Sequence, residues 1–244
     1  PVPPGTYEIE AETQGYRRPL GAWRQLVVDN HNEGLQIGLR DMPEIRLHFE
    51  DGKGNQVDPK LLTVLARRRN LAGAGPAEPL RLTEGKAFLS AGRWELTLAP
   101  SPAFYCEEFA GPGRTSLERG RADGWNEILV LPGETAQVRF TLSLRPASIR
   151  GRVTASLDTP APGAPVYLEA YDLDSRRRLT DLRSARTDLR GHYRFDGLAP
   201  GKYRLLSSFE FEAPDSEALD HAGGKLVSVS EGSDLAQDLD LYVR

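Results

Sequence analysis

A glycine, any residue, an aromatic and then an alternating strand recur three times in this chain. The copies are Pro4-Gly5-Thr6-Tyr7-Glu8-Ile9-Glu10, Ala91-Gly92-Arg93-Trp94-Glu95-Leu96-Thr97 and Pro200-Gly201-Lys202-Tyr203-Arg204-Leu205-Leu206. Such repetition constrains architecture before any residue chemistry does, because each copy must build the same local unit. The glycines Gly5, Gly92 and Gly201 stand roughly 100 residues apart, a common length for a domain with its own core. The first copy lies at the start of the sequence, which predicts that the chain opens in the middle of a unit.

The flanks repeat as well. Glu44–Phe49 and Ser148–Val153 read as first strands, followed by the turn-rich stretches 51–55 and 158–163 and then by second strands at 62–65 and 166–170. After each Gly-x-aromatic strand come two further short strands around a glycine turn: 25–28 and 35–39 around Gly34, 128–130 and 138–142 around Gly133, 226–229 and 239–243 around Gly232. Period-two alternation broken by Gly, Pro, Asn and Asp is the pattern of half-buried antiparallel strands. The expected fold is all-β: tandem Ig-like or transthyretin-like antiparallel Greek-key sandwiches. Residues 1–42 are the C-terminal half of a unit, 43–145 a complete unit and 146–244 another. No segment has a sustained helical period, although 214–222 can form a short turn of helix and 110–123 reads as an exposed loop.

Composition removes several function classes. A net charge of −4 and a pI near 5.7 give no basic footprint for nucleic acid. Cys106 is the one cysteine, so neither an internal disulfide framework nor a cysteine-built zinc site can form. No apolar run is long enough to span a bilayer.

The last unit resembles the carboxypeptidase regulatory-like domains, within the broader group of transthyretin-like and collagen-adhesin B-type sandwiches. The resemblance rests on Gly151-Arg152-Val153, Pro162-Gly163-Ala164-Pro165-Val166-Tyr167-Leu168, Thr187-Asp188-Leu189-Arg190-Gly191-His192-Tyr193-Arg194-Phe195 and Gly197-Leu198-Ala199-Pro200-Gly201-Lys202-Tyr203-Arg204-Leu205. It implies a Greek-key sandwich in an exported, often multi-domain protein, and hence an extracytoplasmic location. It does not imply peptidase activity: His31, His48, His192 and His221 lack the glutamate that a zinc peptidase ligand pair needs. A Lys–Asn cross-link of the kind some related adhesin domains carry is excluded from 146–244, which contains no asparagine.

Tyr7, Trp94 and Tyr203 occupy equivalent places and are expected as core anchors rather than as sugar-stacking platforms. Trp23 and Trp125 lie outside the motif and are the candidates for ligand or partner contact. Glu8, Glu10 and Glu12 should share one solvated strand face. Asp51-Gly52-Lys53-Gly54-Asn55 resembles a calcium loop only faintly, because it lacks a closing bidentate acid, and it reads as a turn. Thr187-Asp188-x-x-Gly191 reads as an Asx-type turn. Arg67-Arg68-Arg69 and Arg176-Arg177-Arg178 read as charged loops that discourage edge-to-edge pairing, with a basic ligand patch as the alternative. Cys106 reads as a small buried side chain.

No spacing selects a catalytic residue, a cofactor site or a metal site. The expected role is therefore non-enzymatic: structural, adhesive or assembly, with protein partners or self-association that includes strand completion between chains. The alternative is a carbohydrate-binding accessory module.

Overall fold

A computed structural model gives the structure over residues 2–13, 19–29, 35–70, 73–74, 77–112, 126–172, 182–212 and 214–243. Apart from one short helix and two 3-10 turns, its regular elements are strands, as the alternation predicts. The first sheet contains β1 (Gly5–Glu12), β2 (Leu20–Val28) and β3 (Arg40–Asp41). Tyr7, Ile9 and Ala11 are half-buried on one face of β1, and Glu8, Glu10 and Glu12 are exposed on the other. Residues 35–39, expected as a strand, have no regular structure, and the chain returns to β2 only through β3.

Nine strands follow: β4 (Glu44–Asp51), β5 (Val64–Asn70), β6 (Gly73–Ala74), β7 (Glu78–Pro79), β8 (Lys86–Phe88), β9 (Gly92–Leu98), β10 (Tyr105–Ala110), β11 (Glu127–Val130) and β12 (Thr135–Ser143). They form two sheets, β10-β12-β4-β8 and β11-β9-β5-β6, with β7 also on β5. The apolar positions of each strand face inward. Ile45, Leu47 and Phe49 of β4 meet Val64 and Ala66 of β5 and Trp94 and Leu96 of β9 in one core. The turn at Gly133 carries the chain from one sheet to the other, so β12 lies parallel to β4. That register sets Phe140 opposite Phe49, with the rings stacked at 5.5 Å. Burying each such side chain stabilises by roughly 1.5–3 kcal/mol.

The last sandwich repeats the plan with β13 (Ala147–Thr154), β14 (Pro165–Ala170), β15 (Arg183–Arg186), β16 (His192–Leu198), β17 (Gly201–Ser208), α1 (Ser216–His221), β18 (Lys225–Val229), β19 (Asp234–Ala236) and β20 (Leu239–Tyr242). β13 pairs with β16 and, in parallel, with β19 and β20. β17 lies between β14 and β18. A second core, including Ile149, Val166, Leu168, Phe195, Tyr203 and Leu205, fills the space between. Asp215 caps α1, its carboxylate accepting from the Ala218 amide at 2.8 Å, as an N-cap residue should.

The three copies of the opening motif share one register. Gly5 pairs with Val28, Gly92 with Val130 and Gly201 with Val229; Tyr7 faces Leu26, Trp94 faces Ile128 and Tyr203 faces Val227. In the second and third copies the glycine has φ of 145° and 151°, a conformation that disfavours any side chain. The Gly5 backbone does not need it.

Candidate functional site

The aromatic of the motif makes the same hydrogen bond in every copy. Tyr7 Oη donates to Pro3 O at 2.7 Å, Trp94 Nε1 to Ser90 O at 2.8 Å and Tyr203 Oη to Ala199 O at 2.8 Å. Each reaches back four residues to the corner that feeds the strand, so the ring packs while its polar end ties down a carbonyl. Their surroundings differ. Tyr203 and Trp94 are buried at 1% and 8% exposure and belong to the two cores. Tyr7 is half-buried and belongs to neither, because no second sheet covers β1 among the described residues. It is a corner residue rather than a core anchor.

Trp23 lies on β2 opposite Glu10 and is 37% exposed. The guanidinium of Arg68 stacks over it at 5.0 Å and over Trp94 at 4.8 Å, so one cation bridges two indoles. Arg68 donates to Ala91 O at 3.1 Å and to Ser90 Oγ, and Ser90 Oγ donates to Glu10 at 3.0 Å. Burial pushes the Arg68 pKa down, opposed by the nearby Glu10 and Glu8 carboxylates. Polar and cation–π contacts therefore join the first sheet to the middle sandwich. Arg68→Ala should cost about 1–3 kcal/mol through lost charged hydrogen bonds. It should also shift Trp23 emission to the red, measured in a Trp94→Phe, Trp125→Phe background that leaves Trp23 as the one tryptophan; an unshifted spectrum would show that the joint is not formed. Trp125 itself lies outside the described residues.

The arginine run 67–69 is neither a loop nor an open basic patch. It lies on β5, where Arg67 pairs with Glu95 at 2.7 Å and Arg69 with Glu127 at 3.1 Å. Strand alternation sends Arg67 and Arg69 to one side and Arg68 to the other. Arg176-Arg177-Arg178 lies outside the described residues.

A second joint links the middle and last sandwiches. Ser143 Oγ donates to Glu231 at 2.7 Å, Arg145 approaches Glu231 at 3.6 Å, and Gly232 N donates to Arg145 O at 2.9 Å. Gly197, with φ of 70°, sits so close to Ser101 that an added Cβ would fall 2.5 Å from its carbonyl oxygen. Beside this contact is a cleft lined by Leu65, Phe104, Cys106, Arg183, Leu198 and Tyr203. Cys106 is buried there, which keeps its thiol from solvent.

The acidic turns are closed on themselves. Asp51 Oδ1 accepts from the amides of Lys53 and Asn55, and Oδ2 accepts from Asn55 Nδ2. Asp188 Oδ1 accepts from the amides of Arg190 and His192 at 2.8 Å each, around Gly191 at φ of 82°. Among the described residues, no group of three or more His, Cys, Asp or Glu is placed to hold a metal ion. The His192 amide bond, with further help from Arg190, holds the Asp188 carboxyl below its ordinary value. A depressed folded pKa means stability that is present above the unfolded value of about 3.9 and lost as pH falls through the folded one. Asp188→Asn should therefore flatten the acid limb of the last sandwich's stability profile below about pH 4, read by urea titration at successive pH values. An acid limb as steep as that of the parent chain would contradict this role.

Residues 148–241 match the family model of the carboxypeptidase regulatory-like domain, so the resemblance read from the sequence holds over that stretch. No curated protein matches the chain. Among solved structures it is similar to the Bacillus anthracis TIE protein, at 12% identity over 99% of this chain and 44% of that one, with a TM-score of 0.31. It is similar to a streptococcal ancillary pilin at 12% identity, covering 97% of this chain and 76% of the other, with a TM-score of 0.29. The minor pilin of Streptococcus agalactiae is 15% identical over 83% of this chain and 97% of its own, with a TM-score of 0.31. The chain thus spans less than half the length of the TIE protein. No helix among the described residues is long and apolar enough to cross a membrane.

Proposed function

We propose that this chain is a non-catalytic, exported or cell-surface protein with a structural, adhesive or assembly role, its units meeting at residues 42/43 and 145/146. What carries the reading is how the reactive side chains are used. The buried charges Glu95, Glu169 and Arg204 and the half-buried Arg67 and Arg68 sit in ion pairs, joints and cation–π stacks, and the turn carboxylates bind their own backbone. Chemistry needs a base or nucleophile held next to a space for substrate; these groups face protein instead. The regulatory-like domain match at 148–241 supports an extracytoplasmic setting. Protein partners, including a strand supplied by another chain, belong to the same reading; nucleic acid does not.

Immunolabelling of intact and permeabilised source cells tests it. Label on intact cells is expected, and label confined to permeabilised cells would overturn the proposal.

One observation favours a second reading, polysaccharide binding. Arg68 covers Trp23 from one side while the residue stays 37% exposed, and an exposed ring face is what sugar stacking requires. A glycan array probed with the parent chain and Trp23→Ala decides: retained signal that Trp23→Ala abolishes supports it, and absence of signal rejects it.

A further inference from the structure

The cleft between the middle and last sandwiches is lined by a cation that has no ion pair among the described residues. Arg183 opens β15, opposite Leu168 of β14, and is half-buried. Its guanidinium carbon lies over the Phe195 ring at 5.5 Å, and Nη1 donates to Asp196 O at 2.8 Å. The Asp196 carboxylate is engaged by Arg194 instead, at 2.7 Å. Arg67, Arg69 and Arg204, by contrast, each meet a carboxylate, at 2.7, 3.1 and 3.0 Å. A guanidinium has five N–H donors, and taking it partly out of water favours whatever anion can meet them. Burial pushes the Arg183 pKa down, opposed by Tyr203 and Asp196.

Most of the surrounding wall is apolar. Leu65, Leu98 and Phe104 come from the middle sandwich and Leu198 from the last. Two polar groups beside them are already engaged: Cys106 Sγ donates to Glu108 O at 3.4 Å and Tyr203 Oη to Ala199 O at 2.8 Å. The free volume is about 140 Å³, room for roughly ten water-sized groups. We propose that the cleft binds a small organic carboxylate with an apolar body of about six carbons, its acid group meeting the fork of Arg183. An apolar hollow between domains with one convergent charge is the usual make-up of a small-ligand site. A ligand there touches both sandwiches and adds to the contact of Gly197 with Ser101. The site goes beyond the structural role proposed above and does not depend on it.

The test is NMR titration of the full chain with sodium hexanoate, hexanol and hexylammonium chloride, following the Arg183 Nε–H and the Leu98 and Leu198 methyl signals. Hexanoate should shift these signals saturably, and the other two should bind at least about tenfold more weakly, because they offer Arg183 no charged acceptor. Arg183→Gln should weaken hexanoate at least about tenfold. Ala99→Phe keeps the cation and fills the cleft that Ala99 lines, and it should abolish the shifts. The comparison of the three probes on the parent chain decides even where a variant does not fold. No saturable shift at these groups, hexanol bound as tightly as hexanoate, or hexanoate shifts that survive Ala99→Phe would overturn the site.

Discussion

Gly151→Ala is expected to unfold the last sandwich or to destabilise it by more than about 4 kcal/mol, in the range reserved for severe steric or cavity defects. An added Cβ would stand 1.7 Å from Gln237 O and 2.5 Å from Gln237 C, which is far inside van der Waals contact with backbone. Backbone is not free to move there. Gln237 N donates to Arg150 O at 2.8 Å, Arg152 N to Asp238 Oδ1 at 2.8 Å, and Tyr193 Oη to Gln237 O at 2.5 Å. The link between β19 and β20 is therefore clamped against β13 at the one residue without a side chain. Relieving the clash means separating the parallel pairing that joins the unit's first and last strands. Gly52→Ala is the control: its Cβ would come no closer than 3.5 Å to Glu107 Oε2 and should change stability by less than about 0.5 kcal/mol. Urea unfolding followed by tyrosine near-UV dichroism measures both. A Gly151→Ala chain as stable as the Gly52→Ala chain would show that the approach is not tight.

Substitutions at the three equivalent aromatics should rank by burial, not by sequence position. Tyr203→Ala removes a ring from a filled core and should cost about 3–5 kcal/mol. Tyr203→Phe keeps the ring but leaves the buried Ala199 carbonyl without its donor, costing about 1–3 kcal/mol. Tyr7→Phe loses the same bond to Pro3 at an exposed corner, where water replaces the hydroxyl, and should cost about 0.5 kcal/mol or less. Denaturation curves give the first two values, and amide exchange in β1 gives the third. Equal costs at the two Tyr→Phe sites would mean that the first sheet is as fully covered as the last sandwich.

The strands, the turns and the repeat were legible because their causes are local. Alternation marks β1, β4 and β13, and glycine marks positions such as Gly92, Gly191 and Gly201 where φ is positive. The short α1 was visible in residues 214–222, with Asp215 as its cap. What escaped depends on partners far away in the chain. Three successive arginines look like a solvated loop until Glu95 and Glu127, 28 and 58 residues further on, are brought beside them. The Trp23–Arg68–Trp94 stack combines three strands and left no pattern in any one of them. Gly197 reads as part of a turn, whereas its packing against Ser101 of the preceding sandwich is a second reason for glycine. Tyr7, expected as a core anchor, is half-buried, because equivalence in sequence does not supply a covering sheet among the described residues. Residues 35–39 keep their apolar pattern but, among the described residues, no strand lies beside them as β4 lies beside β12.

The central claim is that one hairpin plan occurs three times, with both edges of the motif strand paired in two copies and, among the described residues, one edge paired in the first. Residue-resolved native-state amide exchange on the intact chain tests it most directly. Successive amides at Trp94 and Glu95 of β9 and at Tyr203 to Leu205 of β17 should all be slow, since there the strands are paired on both sides. Amides of β1 should alternate, slow toward β2 and fast toward the outer edge. Uniform slow exchange along β1, matching β17, would contradict the claim.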